Sequence, residues 1–306
     1  YHETKRGRRA GYSKFETFPV WNLPLKHPVN LAYEAATTDL NDVNIIDSFH
    51  LDAYGKTTVN YNRDVEIFPV VNAMFELISG SSPYKSPTDM GVNMVGNCII
   101  DDEACQEASK QEIIRRYYTC LCDHTRYGES KDNKQKLESL LRQAHITVND
   151  RKVVKASLDL AKQTNGPTAA IELNDGAIIT GKTSDLLGAS AAVILNALKY
   201  LAGIDQEVDL ISSSAIEPIQ LLKTSYLGGN NPRLHSDEVL IALSASAANS
   251  EIAKKAMEQL PKLKNCEAHT SVLLSSVDED TFKRLGVLLT CEPCYEQATK
   301  KYHKNK

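Results

Sequence analysis

AAIELNDGAIIT, residues 169–180, decides the fold class of this chain. Two apolar runs, Ala169–Leu173 and Ala177–Thr180, flank the turn-forming triplet Asn174-Asp175-Gly176. An Asn or Asp followed by Gly between two such runs is a strong hairpin signal, because these residues tolerate the positive φ angles of tight turns. We therefore predict a pair of antiparallel strands, and strands interspersed with helices predict a mixed α/β protein.

The segment after the hairpin alternates between apolar patterns typical of helices and of strands. Helices are predicted at Ser184–Leu201, Ala215–Leu227, Ser236–Ala247, Ser250–Leu260 and Glu279–Leu285. Strands are predicted at Val208–Ile211, Ser271–Leu274 and Val287–Leu289. This alternation indicates a layered α/β domain over residues 167–306, in which the apolar helix 184–201 is buried.

The chain before Pro167 divides into two further parts. Residues 1–98 are predicted to be mostly irregular because prolines recur early, with one helix at Pro69–Ile78 that has its proline in the first turn. Such a segment is expected to pack on an absent upstream domain. Residues 99–166 are predicted to form a helical subdomain, which includes helices near Lys131–Gln143 and Asp150–Gln163.

Composition argues against several classes of partner. The 306 residues are 42% hydrophobic and 24% charged, with a formal net charge of −4, as in many globular proteins. The negative charge argues against nucleic acid as a partner, and the lack of an apolar run of ~20 residues argues against a membrane span. Seven cysteines without a disulfide framework favour reduced thiols and a cytoplasmic location.

Residues 176–183, GAIITGKT, match the phosphate-loop pattern GxxxxGK[ST] letter for letter. A phosphate loop presents successive backbone N–H groups to a phosphate. Here the middle residues belong to the second strand of the predicted hairpin, whose N–H groups are committed to the sheet. We therefore predict that Lys182 is not a nucleotide-binding lysine.

Signatures of metal sites and of catalytic nucleophiles are incomplete. Cys291-Glu292-Pro293-Cys294 is a single CxxC, whereas a structural zinc site takes four ligands in two matched pairs, so we predict no metal. His235, Ser236 and Asp237 are neighbours in sequence, so their side chains cannot converge as those of a catalytic triad do. Ser236 is interpreted as a helix cap.

The loop of residues 85–97, KSPTDMGVNMVGN, combines charged, hydroxyl and amide side chains with two glycines that let the backbone approach a ligand. We predict that it lines the functional site, with Asp89 as a base and Lys85 as the group that neutralises an anion. Ligand-binding roles are predicted for Ser86, Thr88, Asn93 and Asn97. The alternative interpretation is an ordered structural loop.

A second polar cluster, NNPRLH, spans residues 230–235. Arg233 has the geometry to hold an anion through two parallel hydrogen bonds, and His235 is a titratable neighbour. We predict that both bind the ligand. The alternative is a helix entry with a surface ion pair, and His269, on an apolar strand, is interpreted as a core histidine.

Four runs of the sequence carry a family resemblance. They are KFETFP at 14–19, WNLPLKHPVNLAYEAAT at 21–37, the loop 85–97 with its lead-in Ser82-Pro83-Tyr84, and NPRLHSDEVL at 231–240. Together these runs resemble the bacterial family DUF1846, also called UPF0371. The resemblance covers essentially the whole chain, and runs of this length are specific.

The resemblance implies a cytoplasmic protein whose family members carry an additional N-terminal α/β domain ending in a phosphate-loop-like stretch. That domain is expected to be absent here, and a chain that begins with Tyr1 is expected to be a fragment. The C-terminal part is expected to be a three-layer α/β domain with the general topology of cytidine deaminases, but without their zinc ligands. Some members are labelled peptidases, yet no peptidase residues are present, and the resemblance supplies no catalytic residues.

Two functional hypotheses follow. In the first, the protein is part of an enzyme that acts on a phosphate-bearing small molecule, at a site shared with the absent N-terminal domain. The alternative is a non-catalytic assembly or regulatory protein whose polar loops hold subunits together, which is compatible with a homo-oligomer. The sequence predicts no particular cofactor. It does not decide whether the protein is an enzyme.

Overall fold

The computed structural model of the protein describes residues 1–13, 19–128 and 131–296. The described residues form two compact units. The N-terminal unit contains those up to residue 117 together with 131–147, and the C-terminal unit contains 118–128 and 148–296. Most of the first resemblance run, residues 14–18, and the end of the predicted α/β domain, residues 297–306, lie outside the described part.

The N-terminal unit is mainly helical and has one two-stranded ribbon. Its helices are α1 (His2–Lys5), α2 (Pro28–Ala36), α3 (Ser48–Tyr54), α4 (Asn62–Ser79), α5 (Asp102–Tyr127) and α6 (Lys131–Gln143). The residues of α5 from 118 onward belong to the C-terminal unit. The ribbon pairs β1 (Asn44–Ile46) with β2 (Val59–Tyr61) in antiparallel orientation.

Asn30 ties the proline-rich segment around residue 20 to helix α2. The Val20 N–H donates to Asn30 Oδ1 at 2.7 Å, and Asn30 Nδ2 donates back to the Val20 carbonyl at 3.1 Å. Both residues are 0% exposed, and a buried amide is stable only when its polar atoms are paired. The segment predicted to be irregular therefore packs against a helix of its own unit.

The predicted start of helix α4 is wrong. The helix begins at Asn62, so Pro69 lies in its interior rather than in its first turn. Proline removes one N–H donor from a helix and leaves a carbonyl of the preceding turn unpaired. Pro69 is exposed, and water can hydrate that carbonyl on the outer side of a helix. Gly80 ends the helix with a φ of 78°, as predicted.

The C-terminal unit is built on a four-stranded sheet with the order β4–β3–β5–β6. The strands are β3 (Thr168–Glu172), β4 (Ile178–Lys182), β5 (Glu267–Thr270) and β6 (Leu288–Cys291). Strand β3 is antiparallel to β4 and to β5, whereas β5 and β6 are parallel. Strands β4, β5 and β6 consequently all end at the same edge of the sheet.

Helices cover both faces of this sheet. They are α7 (Lys152–Thr164), α8 (Ala189–Ala202), α9 (Ser213–Leu221), α10 (Ser236–Ala247), α11 (Glu251–Met257) and α12 (Ser276–Arg284). Ala169 and Ile171 of β3 belong to the apolar core that includes α8, whereas Thr168 Oγ1 donates to the Ser157 carbonyl of α7 at 2.7 Å. Because alternate strand residues face opposite sides, α7 and α8 form separate layers. The predicted α/β class is confirmed.

The predicted hairpin is also confirmed, with Gly176 at a φ of 83° in its turn. Strand β4 contains Gly181 and Lys182, so most of the phosphate-loop-like string is a strand. A Cβ atom at Gly181 would lie 2.4 Å from the Val193 backbone nitrogen of α8. The second glycine of the string is therefore required by the close contact between strand and helix.

Other predicted boundaries differ from the structure. The predicted strand Val208–Ile211 is wrong, because the segment is a loop whose Leu210 and Ile211 are each 5% exposed. Its apolar residues pack into the core without joining the sheet. The strand predicted at Ser271–Leu274 lies earlier, as β5, and the helix predicted from Ser184 begins at Ala189.

The structure groups the chain differently from the predicted division into residues 1–98, 99–166 and 167–306. Helix α7, assigned to the middle part by the sequence, belongs to the C-terminal unit. None of the described helices combines the length and the apolar character needed to cross a membrane.

Candidate functional site

The predicted catalytic loop opens with a 3₁₀ turn, Pro87–Met90, that Ser86 and Asp89 cap reciprocally. Ser86 Oγ accepts the Asp89 N–H at 3.3 Å, and Asp89 Oδ2 accepts the Ser86 N–H at 3.1 Å. Asp89 Oδ2 also accepts the Lys85 N–H at 2.8 Å and the Tyr54 hydroxyl at 3.0 Å. The carboxylate predicted as a base therefore holds the start of the loop in place.

Buried hydroxyl groups tie the same turn to helix α3. The N–H and the hydroxyl of Thr88 both donate to Asp47 Oδ2, at 3.1 Å and 2.5 Å. Asp47 Oδ1 accepts the His50 N–H at 3.0 Å, which caps α3. Ser86 Oγ lies 3.0 Å from His50 Nδ1. Ser86 and Thr88, predicted as ligand-binding residues, are thus part of the packing between this turn and α3.

The two predicted amide ligands contact the chain itself. Asn93 Oδ1 accepts the Val95 N–H at 3.1 Å, and Asn97 Oδ1 accepts Asn22 Nδ2 at 2.9 Å. A Cβ atom at Gly96 would lie 2.4 Å from Asn22 Oδ1. The glycine predicted to admit a ligand therefore admits the side chain of Asn22.

Lys85 is exposed, and its Nζ lies 5.7 Å from the centre of the Tyr54 ring, within the range of a cation–π contact. These contacts explain the polar side chains of the loop through the fold of the N-terminal unit. The predicted catalytic roles of Lys85 and Asp89 stay predictions.

The C-terminal unit contains a cavity of about 340 Å³ at the edge of the sheet where β4 and β5 end. Thr168, Thr183 and Thr270 line it from the strand ends, and Arg233 and His235 line it from the loop before α10. Ligands of α/β proteins commonly bind beyond the carboxyl ends of the strands. The structure therefore places the second predicted cluster at a cavity.

Three helices begin at this cavity. Gly188, His235 and Ser275 are the N-cap residues of α8, α10 and α12, and all three line the cavity. The Gly188 N–H donates to the Leu234 carbonyl at 3.1 Å, which holds the starts of α8 and α10 side by side. Helix N-termini carry partial positive charge and unpaired N–H groups, so their convergence favours an anion.

Asp278 lies at the junction of the three helix starts and is 4% exposed. Its Oδ1 accepts the Ser190 hydroxyl at 2.8 Å, the Ser236 N–H at 2.9 Å and the Ser236 hydroxyl at 2.7 Å. Its Oδ2 accepts the Ser275 hydroxyl at 2.9 Å and lies 2.8 Å from His235 Nδ1. The carboxylate is therefore fully coordinated and fixes the orientation of the His235 imidazole.

The two partners shift each other's pKa in opposite directions. The hydrogen bond that His235 donates to Asp278, reinforced by the charge of the carboxylate, raises the pKa of His235 above the ordinary 6.5, although burial works against it. Burial alone would raise the pKa of Asp278, but the hydrogen bonds and charge of His235, with the hydrogen bonds of Ser236, lower it below 3.8. Each partner accordingly favours the charged form of the other, a carboxylate beside an imidazolium.

Arg233 reaches the same cavity but is engaged by a carboxylate of the chain. Its Nη1 lies 2.9 Å from Glu296 Oε1, and both residues line the cavity. Lys223 Nζ donates to the Arg233 carbonyl and to Glu238 Oε2, each at 2.6 Å. Glu238 Oε2 also accepts the His235 N–H at 2.8 Å, so this lysine and glutamate hold the backbone that presents Arg233 and His235.

The sequence prediction missed Asp278, Ser190, Ser275 and Glu296. Ser275 and Asp278 have the spacing of a helix N-cap, and Ser275 Oγ does accept the Asp278 N–H at 3.3 Å. That local signal gives no indication of Ser190, which lies 88 residues away. The interpretation of Ser236 as the helix cap is wrong by one position. His235 is the N-cap of α10, and the Ser236 hydroxyl donates to Asp278.

Chemically, this arrangement offers an oriented acid–base group beside a place for an anion. A histidine held by a buried carboxylate can donate or accept a proton from a bound molecule. The hydroxyl groups of Thr183 and Thr270 lie on the cavity wall and can donate hydrogen bonds to ligand oxygens.

Comparison with known proteins matches consecutive parts of the chain to two family models. The model described as "Domain of unknown function DUF1846, N-terminal" matches residues 1–145, and the one described as "Domain of unknown function DUF1846, C-terminal" matches residues 149–302. The expectation that the family's N-terminal domain is absent from this chain is therefore wrong. A site shared with an absent N-terminal domain loses its basis for the same reason.

Curated relatives agree with the family match. A UPF0371 protein of Corynebacterium glutamicum is 60% identical over 297 residues, which cover 97% of this chain and 60% of the relative. A UPF0371 protein of Streptococcus thermophilus is 55% identical over 296 residues, with 97% and 60% covered. The chain thus spans about three-fifths of the length of these relatives. With both family models matched across nearly all of its length, the chain belongs to the DUF1846 family.

Proposed function

We propose that this protein is part of an enzyme that acts on a phosphate-bearing small molecule, and that the 340 Å³ cavity of the C-terminal unit binds the phosphate. The observation that carries the proposal is the His235–Asp278 pair, which lies where three helices begin. Every residue on which the proposal rests belongs to the C-terminal unit.

Phosphate is favoured over a neutral ligand by the backbone around the cavity. The first-turn N–H groups of α8, α10 and α12 supply partial positive charge without any flexible side chain. Asp278 lies at their junction, but it is 4% exposed and its oxygens are already hydrogen-bonded, so a ligand phosphate would bind on the cavity side, against His235 and the first turns.

The His235 imidazole supplies the proposed chemistry. Its Nδ1 is held by Asp278 at 2.8 Å, and the raised pKa keeps the ring protonated over a wider pH range. A protonated imidazole both attracts a phosphate and donates a proton to a leaving oxygen. Asp278 acts here as a positioning residue, because it orients the ring and stabilises its charge.

Glu296 provides a further test of the proposal, because its carboxylate competes with a phosphate for Arg233. With His235 protonated, Arg233 and His235 balance the charges of Asp278 and Glu296, which leaves the charged side chains of the cavity neutral in sum. A phosphate that displaces the Glu296 carboxylate from Arg233 gains a bidentate partner. Removal of the charge at residue 296 should therefore strengthen phosphate binding.

The test is calorimetric titration of the full chain with pyrophosphate and with a panel of phosphate monoesters. We expect binding to the wild type, at least about 10-fold weaker binding to His235→Gln and to Arg233→Gln, and tighter binding to Glu296→Gln. Turnover of any bound phosphate ester should fall in His235→Gln.

Arg284→Gln is the matched control, because Arg284 is exposed on α12 and its loss changes the net charge as Arg233→Gln does. The control should bind like the wild type. The proposal is wrong if the wild type binds none of these phosphates, or if His235→Gln and Arg233→Gln bind them as tightly as the control.

A specific observation also favours the alternative of an assembly or regulatory protein. Helix α4 exposes an apolar stripe at helical spacing, formed by Ile67, Val70, Met74 and Leu77, which are 49%, 56%, 54% and 88% exposed. A stripe of this kind is typical of a protein-binding helix face. Size-exclusion chromatography with light scattering tests this alternative, because Met74→Asp and Leu77→Asp should abolish any self-association of the chain.

A further inference from the structure

A second cavity, of about 140 Å³, lies in the C-terminal unit among helix α8, the loop that follows it and the start of α9. Most of its lining is aliphatic and comes from leucine and isoleucine side chains, among them Leu195, Leu210 and Ile216, which are 7%, 5% and 4% exposed. None of its lining residues belongs to the cavity of His235 and Asp278.

Lys199 of α8 lines this second cavity and is 8% exposed. Its ammonium group donates to the Gln206 carbonyl at 2.8 Å, and among the residues that the structure describes it has no carboxylate partner. A lysine has three N–H donors, and a buried charge without a counter-charge is costly. The ammonium group can therefore bind an anion that the described residues do not provide.

The start of helix α9 reinforces the positive character of this cavity. Ser213 is the first residue of the nine-residue helix and lines the cavity. The N-cap residue Ser212 makes no side-chain hydrogen bond to the helix backbone, and its hydroxyl pairs instead with that of Ser214 at 2.9 Å. The first N–H groups of α9 are thus left without a side-chain cap, and a carboxylate is a suitable partner for them.

Asp209 adds a charge of the opposite sign on the wall of the same cavity. It is exposed and lines the cavity, yet it forms no ion pair with Lys199 in the described structure. A ligand that carries a carboxylate and an ammonium group on the same carbon would satisfy both charges. The leucine and isoleucine side chains of the lining favour a hydrocarbon side chain on the ligand.

We propose that this cavity is a binding site for a small aliphatic α-amino acid. Lys199 and the start of α9 bind the carboxylate, Asp209 binds the ammonium group, and the leucine and isoleucine side chains surround the aliphatic part. The site is separate from the proposed phosphate site, and its assignment does not rest on the proposed function.

Calorimetric titration of the full chain with L-leucine and L-valine tests the proposal. We expect a Kd of about 1 mM or tighter for at least one of them. Lys199→Met should weaken binding at least about 10-fold, because it removes the charged partner of the carboxylate while keeping most of the apolar stem. Lys254→Met, on the exposed side of α11, is the matched control and should bind like the wild type.

A second variant keeps the test decisive if Lys199→Met does not fold. Ala192→Leu, on the cavity side of α8, keeps both charges and fills the space, so it should weaken binding at least as much as Lys199→Met. 4-Methylpentanoate, which is leucine without its amino group, should bind to the wild type more weakly than L-leucine does. To Asp209→Asn, which lacks the partner of the ammonium group, the two compounds should bind equally tightly.

Three outcomes would overturn the proposal. One is the absence of leucine and valine binding to the wild type at 10 mM, well above the Kd of about 1 mM expected here. Another is unchanged binding to Ala192→Leu. The third is binding of 4-methylpentanoate as tight as that of L-leucine, which would leave a carboxylate site without amino-acid recognition.

Discussion

Two polar regions of the molecule use an aspartate at a helix-like turn, but they use it differently. In the N-terminal unit, Asp89 accepts two backbone N–H groups and the Tyr54 hydroxyl, and these bonds fix the path of the loop. In the C-terminal unit, Asp278 gathers the starts of three helices and also holds the imidazole of His235 at a cavity. Both regions contain many polar side chains close together, so a high density of polar residues does not by itself identify a ligand-binding site.

The two regions differ in which side-chain groups remain available to a ligand once the hydrogen bonds are made. Around Asp89 the partners are mostly backbone groups, and their pairing completes a turn. Around Asp278 the partners include a titratable ring that lines open space, which gives the network a chemical use beyond the fold. The predictions that test this contrast are described in order of decreasing expected effect.

The largest effect is expected for Asp278→Asn. This change removes the charge that pairs with His235 and replaces one acceptor oxygen by a donor that faces the hydroxyl or N–H groups now bound there. We expect the free energy of unfolding to fall by about 2–4 kcal/mol, because a buried, fully coordinated carboxylate is lost. Urea denaturation followed by circular dichroism measures the change.

Asp280→Asn, on the same helix, controls for the general effect of a lost carboxylate on α12 and should change stability by less than about 0.5 kcal/mol. Equal stability of the two variants would mean that Asp278 does not organise the three helix starts.

A smaller effect is expected for Asp89→Asn. The amide can keep one acceptor oxygen for the Ser86 and Lys85 N–H groups, so the loss in unfolding free energy should be about 1–2 kcal/mol. Tyr54→Phe, which removes one of the three hydrogen-bond donors to this carboxylate, should lower the free energy of unfolding by less than Asp89→Asn does, because the hydroxyl is exposed to water.

The Asp89 variant also tests the role predicted from the sequence. If Asp89 only shapes the loop, Asp89→Asn should leave pyrophosphate binding unchanged. A variant that keeps its stability but loses turnover of a phosphate ester would instead support the predicted catalytic role and reverse the contrast between the two regions.

A still smaller effect is expected from pH, and its sign follows from the two shifted pKa values. The raised pKa of His235 stabilises the fold fully below pH 6.5, and this contribution is lost as the pH rises through the folded-state pKa. The lowered pKa of Asp278 stabilises the fold above pH 3.8, and this contribution is lost below that value. The pair therefore stabilises the protein most between these two values.

The measurement is the difference in unfolding free energy between the wild type and His235→Gln, taken from about pH 6 to about pH 9, where other groups largely cancel. The difference should shrink as the pH rises. A difference that is constant over this range would show that folding does not raise the pKa of His235.

Virtually no effect is expected for Lys182→Ala. Lys182 is exposed at the end of strand β4, and the string that precedes it is committed to the sheet. Any affinity of the chain for ATP should therefore be the same in the variant and in the wild type, as measured by calorimetry. A large loss would show that the letter pattern does act as a phosphate loop.

The sequence predicts features that depend on neighbouring residues better than those that depend on distant ones. The sequence predicts the hairpin around Gly176 because its turn chemistry is local. It also identifies Arg233 and His235 as one short cluster, although their ligand-binding roles stay predictions. Helix α4 was predicted to begin too late because an exposed proline inside a helix is rare in local statistics.

Local sequence patterns do not predict the role of Asp278, the carboxylate that organises the cavity. Asp278 meets Ser236 and Ser190, which lie 42 and 88 residues away, and no spacing in a single sequence reveals such a meeting. Likewise, the loop 208–211 has the composition of a strand, yet its apolar residues contribute to the core without entering the sheet. In both cases the tertiary fold decides the outcome and local preference does not.

The meeting of Ser190, Ser236 and Asp278 also bears on the order of events during folding. These residues belong to three helices that are separated along the chain, so their hydrogen bonds can form only after all three helices have docked. Contacts between distant segments form late, because the chain must first close large loops. A molecule bound in the cavity would therefore slow the unfolding rate of the C-terminal unit as a whole and protect α8, α10 and α12 together from proteolysis.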